Sequence, residues 1–84
     1  MGPVDHLVFS GDDQLLASAR GSEVIQMWRL SDGALLGEII ALMVERLMFQ
    51  PDNQNLLIGT GDGKVWRWEP PYTRPTLLLD NLGT

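Results

Sequence analysis

Few residues in this chain carry the chemistry of a catalyst. The single histidine, His6, follows Asp5 and precedes Ser10 by four positions, so the side-chain types of a nucleophilic triad occur together. A strand through this stretch would send consecutive residues to opposite faces, pointing His6 and Asp5 apart, so no catalytic role is expected. Asp12-Asp13 and Asp52-Asn53 lack the spacing of a calcium loop and read as turn formers. Gly61-Asp62-Gly63-Lys64 has the residues of a phosphate cradle, but it lies between two strand patterns and not ahead of a helix. The absence of cysteine excludes disulfides, thiolate metal sites and thiol nucleophiles, and suits a reducing compartment. No cofactor or metal is called for.

The elements that hold these residues follow from a repeat. Shifting the chain by forty positions aligns Val4 with Val44, Leu7 with Leu47, Phe9 with Phe49, Asp12 with Asp52 and Gln14 with Gln54. The same shift aligns Leu16 with Leu56, Gly21 with Gly61 and Trp28 with Trp68. Within each unit, short alternating runs separated by turn residues predict strands, and no helical period is present. The first unit is read as strands over 6–10, 15–19, 24–30 and 34–40, with Ile25 and Met27 on one face of the third and Trp28 on the other. Strands over 45–50, 55–60, 64–69 and 76–79 make the second unit. Pro70, Pro71 and Pro75 confine its last connection to a loop or an edge. The two units, 4–40 and 44–80, are expected to be all-β, four-stranded antiparallel meanders.

Charge and length narrow the partners. A net charge of −5, with no clustering of the basic residues, disfavours nucleic acid, whose affinity comes mostly from phosphate neutralisation. The apolar run 39–44 is far short of the roughly 20 residues that span a bilayer, and the first residues lack a signal peptide, so a cytoplasmic chain is expected. Eighty-four residues build only a modest core.

The runs Leu7-Val-Phe-Ser-Gly-Asp-Asp-Gln-Leu-Leu-Ala-Ser-Ala and Val24-Ile-Gln-Met-Trp closely resemble WD-repeat (Trp-Asp repeat) β-propeller blades. So do Leu47-Met-Phe-Gln-Pro-Asp-Asn-Gln-Asn-Leu-Leu-Ile-Gly and Gly61-Asp-Gly-Lys-Val-Trp-Arg-Trp. The resemblance covers nearly the whole chain. It implies Phe9, Trp28, Phe49, Asp62 and Trp68 as repeat anchors, and a scaffold for protein interactions in place of an enzyme. The chain departs from the pattern at Trp28-Arg29 and Trp68-Glu69, where the family has Trp-Asp. Ile39 and Ile40 fall where Gly-His usually stands, and Ser22 replaces the turn aspartate that Asp62 keeps. The buried hydrogen-bond network of the family is therefore incomplete in both units.

Two departures mark candidate surfaces. The segment 39–44 is apolar where the family has a polar loop; Leu42 and Met43 either bind a partner or pack on the adjacent blade. Trp66 beside Arg67 reads as a platform for a sugar, aromatic group or peptide, extended by Tyr72, or else as inter-blade packing with Arg67 reaching a carboxylate and the Tyr72 loop a rigid turn. Propellers close with four to eight blades, and two blades leave two apolar faces bare. Self-assembly is therefore expected, a homo-tetramer giving eight blades ahead of a homo-trimer giving six. His6 copies would converge near the axis of such a ring, where they offer a metal or anion site as the lesser alternative to a plain strand residue. The other readings are a lectin-like, ligand-binding propeller and a fragment or engineered piece of a larger WD-repeat protein.

Overall fold

The alternating runs form eight strands, and no helix occurs among the described residues of the computed structural model, which are 4–20, 24–41, 43–52 and 54–80. The strands β1 (Val4–Phe9), β2 (Leu15–Arg20), β3 (Val24–Arg29) and β4 (Ala34–Ile40) pair in chain order into one antiparallel sheet. The second sheet follows the same order, with β5 (Val44–Phe49), β6 (Leu56–Thr60), β7 (Val65–Trp68) and β8 (Thr76–Leu79). The forty-residue repeat is therefore a structural repeat, down to an irregularity at the same place in each first pair, between Val4 and His6 and between Val44 and Arg46. Strand limits differ from the sequence reading by up to two residues. Ser10 and Gln50, read as strand ends, already belong to the turns, where their N–H groups donate to the carbonyls of Leu15 and Asn55.

Acidic side chains fasten these turns. Asp12 Oδ1 accepts from the Ser10 hydroxyl at 2.6 Å and from the Gln14 N–H at 3.1 Å. Asp52 Oδ1 accepts from the N–H groups of Gln54 and Asn55, and Asp32 Oδ1 from that of Ala34, each at 3.0 Å. Gly33 and Gly63 supply the positive φ angles, 73° and 85°, that a side chain rarely adopts. The predicted turn at 20–23 lies, after Arg20, outside the described residues.

Period-two alternation then decides which face each sheet buries. Ala17, Ala19, Ile25 and Met27 of the first sheet meet Leu56, Ile58 and Trp68 of the second in one core, joined by Val44 and Tyr72. Trp28 takes the opposite face from Ile25 and Met27, as read from the sequence, with its indole N–H donating to Ser18 Oγ at 3.2 Å. Beside it on that uncovered face stand Leu7 and Phe9, 58% and 53% exposed. Phe9, named as a repeat anchor, stands exposed, because among the described residues nothing covers this face of the first sheet. Its repeat counterpart Phe49 is half-buried against the core.

Candidate functional site

Ser10 is buried, but its hydroxyl is engaged with Asp12 and with the N–H groups of Gln14 and Leu15 at 3.2 and 3.0 Å. His6 sits half-buried opposite Ala19 on β1. Among the described residues no group of three His, Asp or Glu side chains is placed to hold a metal ion.

Trp66, Arg67 and Tyr72 do not form one platform. Trp66 pairs with Ile58 and faces the first sheet, whereas Arg67 pairs with Leu57 on the opposite face, because consecutive strand residues alternate. Arg67 Nε lies 3.7 Å from Glu69 Oε2, the carboxylate contact expected of it. Tyr72 corrects its assignment as an exposed extension: it is 6% exposed, its hydroxyl donates to the carbonyl of Gln54, and its ring meets Trp68 edge-on at 5.5 Å. Burial, with the Asp52 charge second, pushes its phenol up to about 12. Room for this tyrosine comes from Gly37 on β4: a β-carbon there would collide with the Tyr72 carbonyl oxygen and stand 3.0 Å from Trp68 Cζ2. A lone glycine inside a strand signals such close approach, and that signal was present in the sequence.

In the connection between the sheets, Met43 is 57% exposed, and its carbonyl accepts from the Gly61 N–H at 2.7 Å. Leu42 lies outside the described residues.

A groove of about 230 Å³ opens between the sheets. Ile39, Ile40 and Ala41 at the end of β4 form one wall, and Ile58, Thr60, Asp62, Trp66 and Pro75 of the second sheet form the other. Asp62 Oδ1 accepts from the Thr60 hydroxyl, which holds the carboxyl below its ordinary pKa, with the charge of Lys64 adding to the effect. The second carboxylate oxygen has Lys64 Nζ at 3.8 Å. Asp62 was singled out in the sequence as a turn anchor. That it shares a groove with Trp66 was not evident there, because only the stacking of β4 on the second sheet closes the other wall.

Two bare faces flank the stack. One carries Leu7, Phe9, Leu16 and Trp28, the counterparts of Leu47, Phe49, Leu56 and Trp68, through which the second sheet packs on the first. The other holds a hollow of about 390 Å³ lined by Arg46, Met48, Leu57, Gly59 and Val65 among others.

No protein-family model matches the chain. It is 30% identical over 71 residues to the Periodic tryptophan protein 2 homolog of Mus musculus, covering 82% of this chain. It is 27% identical over 81 residues to the homolog of the same name from Schizosaccharomyces pombe, covering 94%. The chain spans only 8% and 10% of the length of these relatives. Among solved structures, the C-terminal WD40 domain of Sif2 superposes with a TM-score of 0.63 and 20% identity over 88% of this chain and 22% of that one. With the forty-residue repeat, two consecutive four-stranded sheets and Trp28 and Trp68 in equivalent places, the chain has the fold of two WD40 β-propeller blades.

Proposed function

We propose that the chain is a non-enzymatic, protein-binding scaffold unit whose two bare faces are covered by further blades supplied by copies of itself. One observation carries this reading: Leu7, Phe9, Leu16 and Trp28 repeat, unchanged, four of the side chains by which the second sheet docks on the first. The face that would receive them is compatible in size. Ser18 and Gln26 are smaller than their counterparts Ile58 and Trp66, while Leu57 and Met48 on the far face are larger than Ala17 and Val8. The hollow over Gly59 offers volume for a projecting Leu7 or Phe9. Repeating the step that relates the two sheets makes a head-to-tail contact, which closes as a ring. Four copies give eight blades, the favoured ring, and three give six.

Light scattering and native mass measurement test this: a mass four times the 9.4 kDa protomer is expected. A folded, stable monomer overturns self-assembly. The small share of the relatives' length favours a second source for the covering blades, the remainder of a longer chain. In that case the isolated 84 residues expose both faces and aggregate or unfold. The lectin-like reading loses half of its platform to the interior with Tyr72.

A further inference from the structure

We infer that the groove between the blades binds one long cationic side chain, a lysine or arginine presented by a partner protein. The inference rests on the protein-binding reading and gives it a recognition chemistry. At about 230 Å³ the groove is below the 300–1,000 Å³ usual for drug-sized ligands, which suits a single inserted side chain. Its walls are Ile39, Ile58, Pro75 and the half-buried indole of Trp66, apolar surfaces that fit an aliphatic stem. Among the described residues one charged group lines it, the carboxylate of Asp62.

That carboxylate is set up as an anion and is only partly neutralised. Thr60 occupies one oxygen; Lys64 stands 3.8 Å from the other, beyond hydrogen-bond reach. A cation laid along the half-buried Trp66 would meet the indole and the exposed Asp62 carboxylate, two attractions that act together. The net charge of −5 adds long-range attraction for a basic partner.

The repeat supplies an independent observation, because it separates what the blade needs from what it does not. At the positions equivalent to Asp62 and Trp66 the first unit has Ser22 and Gln26, and its third strand still forms and pairs on both sides. A blade is therefore built without this aromatic–acid pair. Trp66 and Asp62 converge in the one groove where β4 of the preceding blade closes the opposite wall.

The test is a ¹H–¹⁵N correlation titration of the whole chain with Nα-acetyl-lysine-N-methylamide, its arginine analogue, and the uncharged norleucine analogue. Either cation is expected to move the Trp66 indole N–H and the Ile39 and Thr60 amides saturably, with millimolar affinity. Norleucine is expected to bind at least fivefold more weakly. Asp62→Asn keeps an acceptor for Thr60 on an exposed turn and is expected to weaken the cations to the norleucine level. Trp66→Gln, the residue of the first blade, is expected to abolish the shifts while the remaining spectrum stays dispersed. Equal affinity for lysine and norleucine, cation binding unchanged in Asp62→Asn, or silence at Trp66 and Ile39 overturns the proposal. These outcomes are read on the free groove, so they are distinguishable from failure of the scaffold reading, which shows as a folded monomer by mass.

Discussion

Two glycine-to-alanine substitutions on neighbouring blades are expected to shift stability in opposite directions. An alanine at Gly37 puts its β-carbon into the Tyr72 carbonyl, 2.8 Å from Tyr72 Cβ and 3.0 Å from Trp68 Cζ2, where the neighbours are backbone and a packed ring. Overpacking of this kind costs ~1–3 kcal/mol. The strand gains ~0.5–1 kcal/mol on replacing glycine by alanine, which offsets part of that. A net loss of about 1–2 kcal/mol lowers the melting temperature by roughly 5–15 °C for a domain of this size. At Gly59 on β6 the nearest atom to an added β-carbon is Arg46 Cβ at 3.7 Å, an ordinary contact, and the equivalent residue of the first blade is already Ala19. Gly59→Ala keeps the strand gain alone and raises the melting temperature by a few degrees. Thermal unfolding of both variants, followed by tryptophan fluorescence at one fixed protein concentration, makes the comparison. Gly37→Ala as stable as the parent, or shifts of the same sign in both, refutes the packing of β4 on Trp68 and Tyr72.

Tyr72 is the only tyrosine, so absorbance at 295 nm follows it alone; its ionisation is expected near pH 12, and onset at the ordinary value of about 10 in the folded chain refutes its burial. Because its folded pKa is raised, the stability it contributes is complete below pH 10 and fades as pH rises from there through 12. Asp32 behaves in the opposite sense. The Arg29 guanidinium, 2.8 Å away, and the Ala34 N–H hold it at about 2, so its contribution is complete above 3.8 and is lost as pH falls toward 2. The urea midpoint is expected to drop between pH 4 and 2, and less steeply in Asp32→Asn; an equal drop in both refutes the assignment.

What was legible in the sequence was whatever repeats or alternates. The recurrence of Phe9 and Trp28 at Phe49 and Trp68, with turn residues between, gave the strand order and the opposed faces of β3. Two features were not legible, for reasons of long-range packing. Tyr72, in a proline-rich stretch that reads as surface, is drawn inward because Gly37, distant in sequence, lacks a side chain. Phe9 has the same sequence setting as Phe49, yet its exposure depends on whether a neighbouring sheet is present. Trp66 and Arg67 read as a pair only if the two-residue period of a strand is set aside; the structure puts them on opposite faces.

The strictly sequential pairing of the strands also bears on how the chain acquires its structure. Among the described residues every ladder joins strands adjacent along the chain, so each sheet is assembled from hairpins with short loops to close. During synthesis the amino-terminal sheet can form before β5 emerges, and it then waits with Ala17, Ala19, Ile25 and Met27 in water. The slow, vulnerable interval is the docking of one finished sheet on the next. Substitutions at the seam, at Gly37 or Trp68, are therefore expected to reduce soluble yield more than their equilibrium cost alone implies.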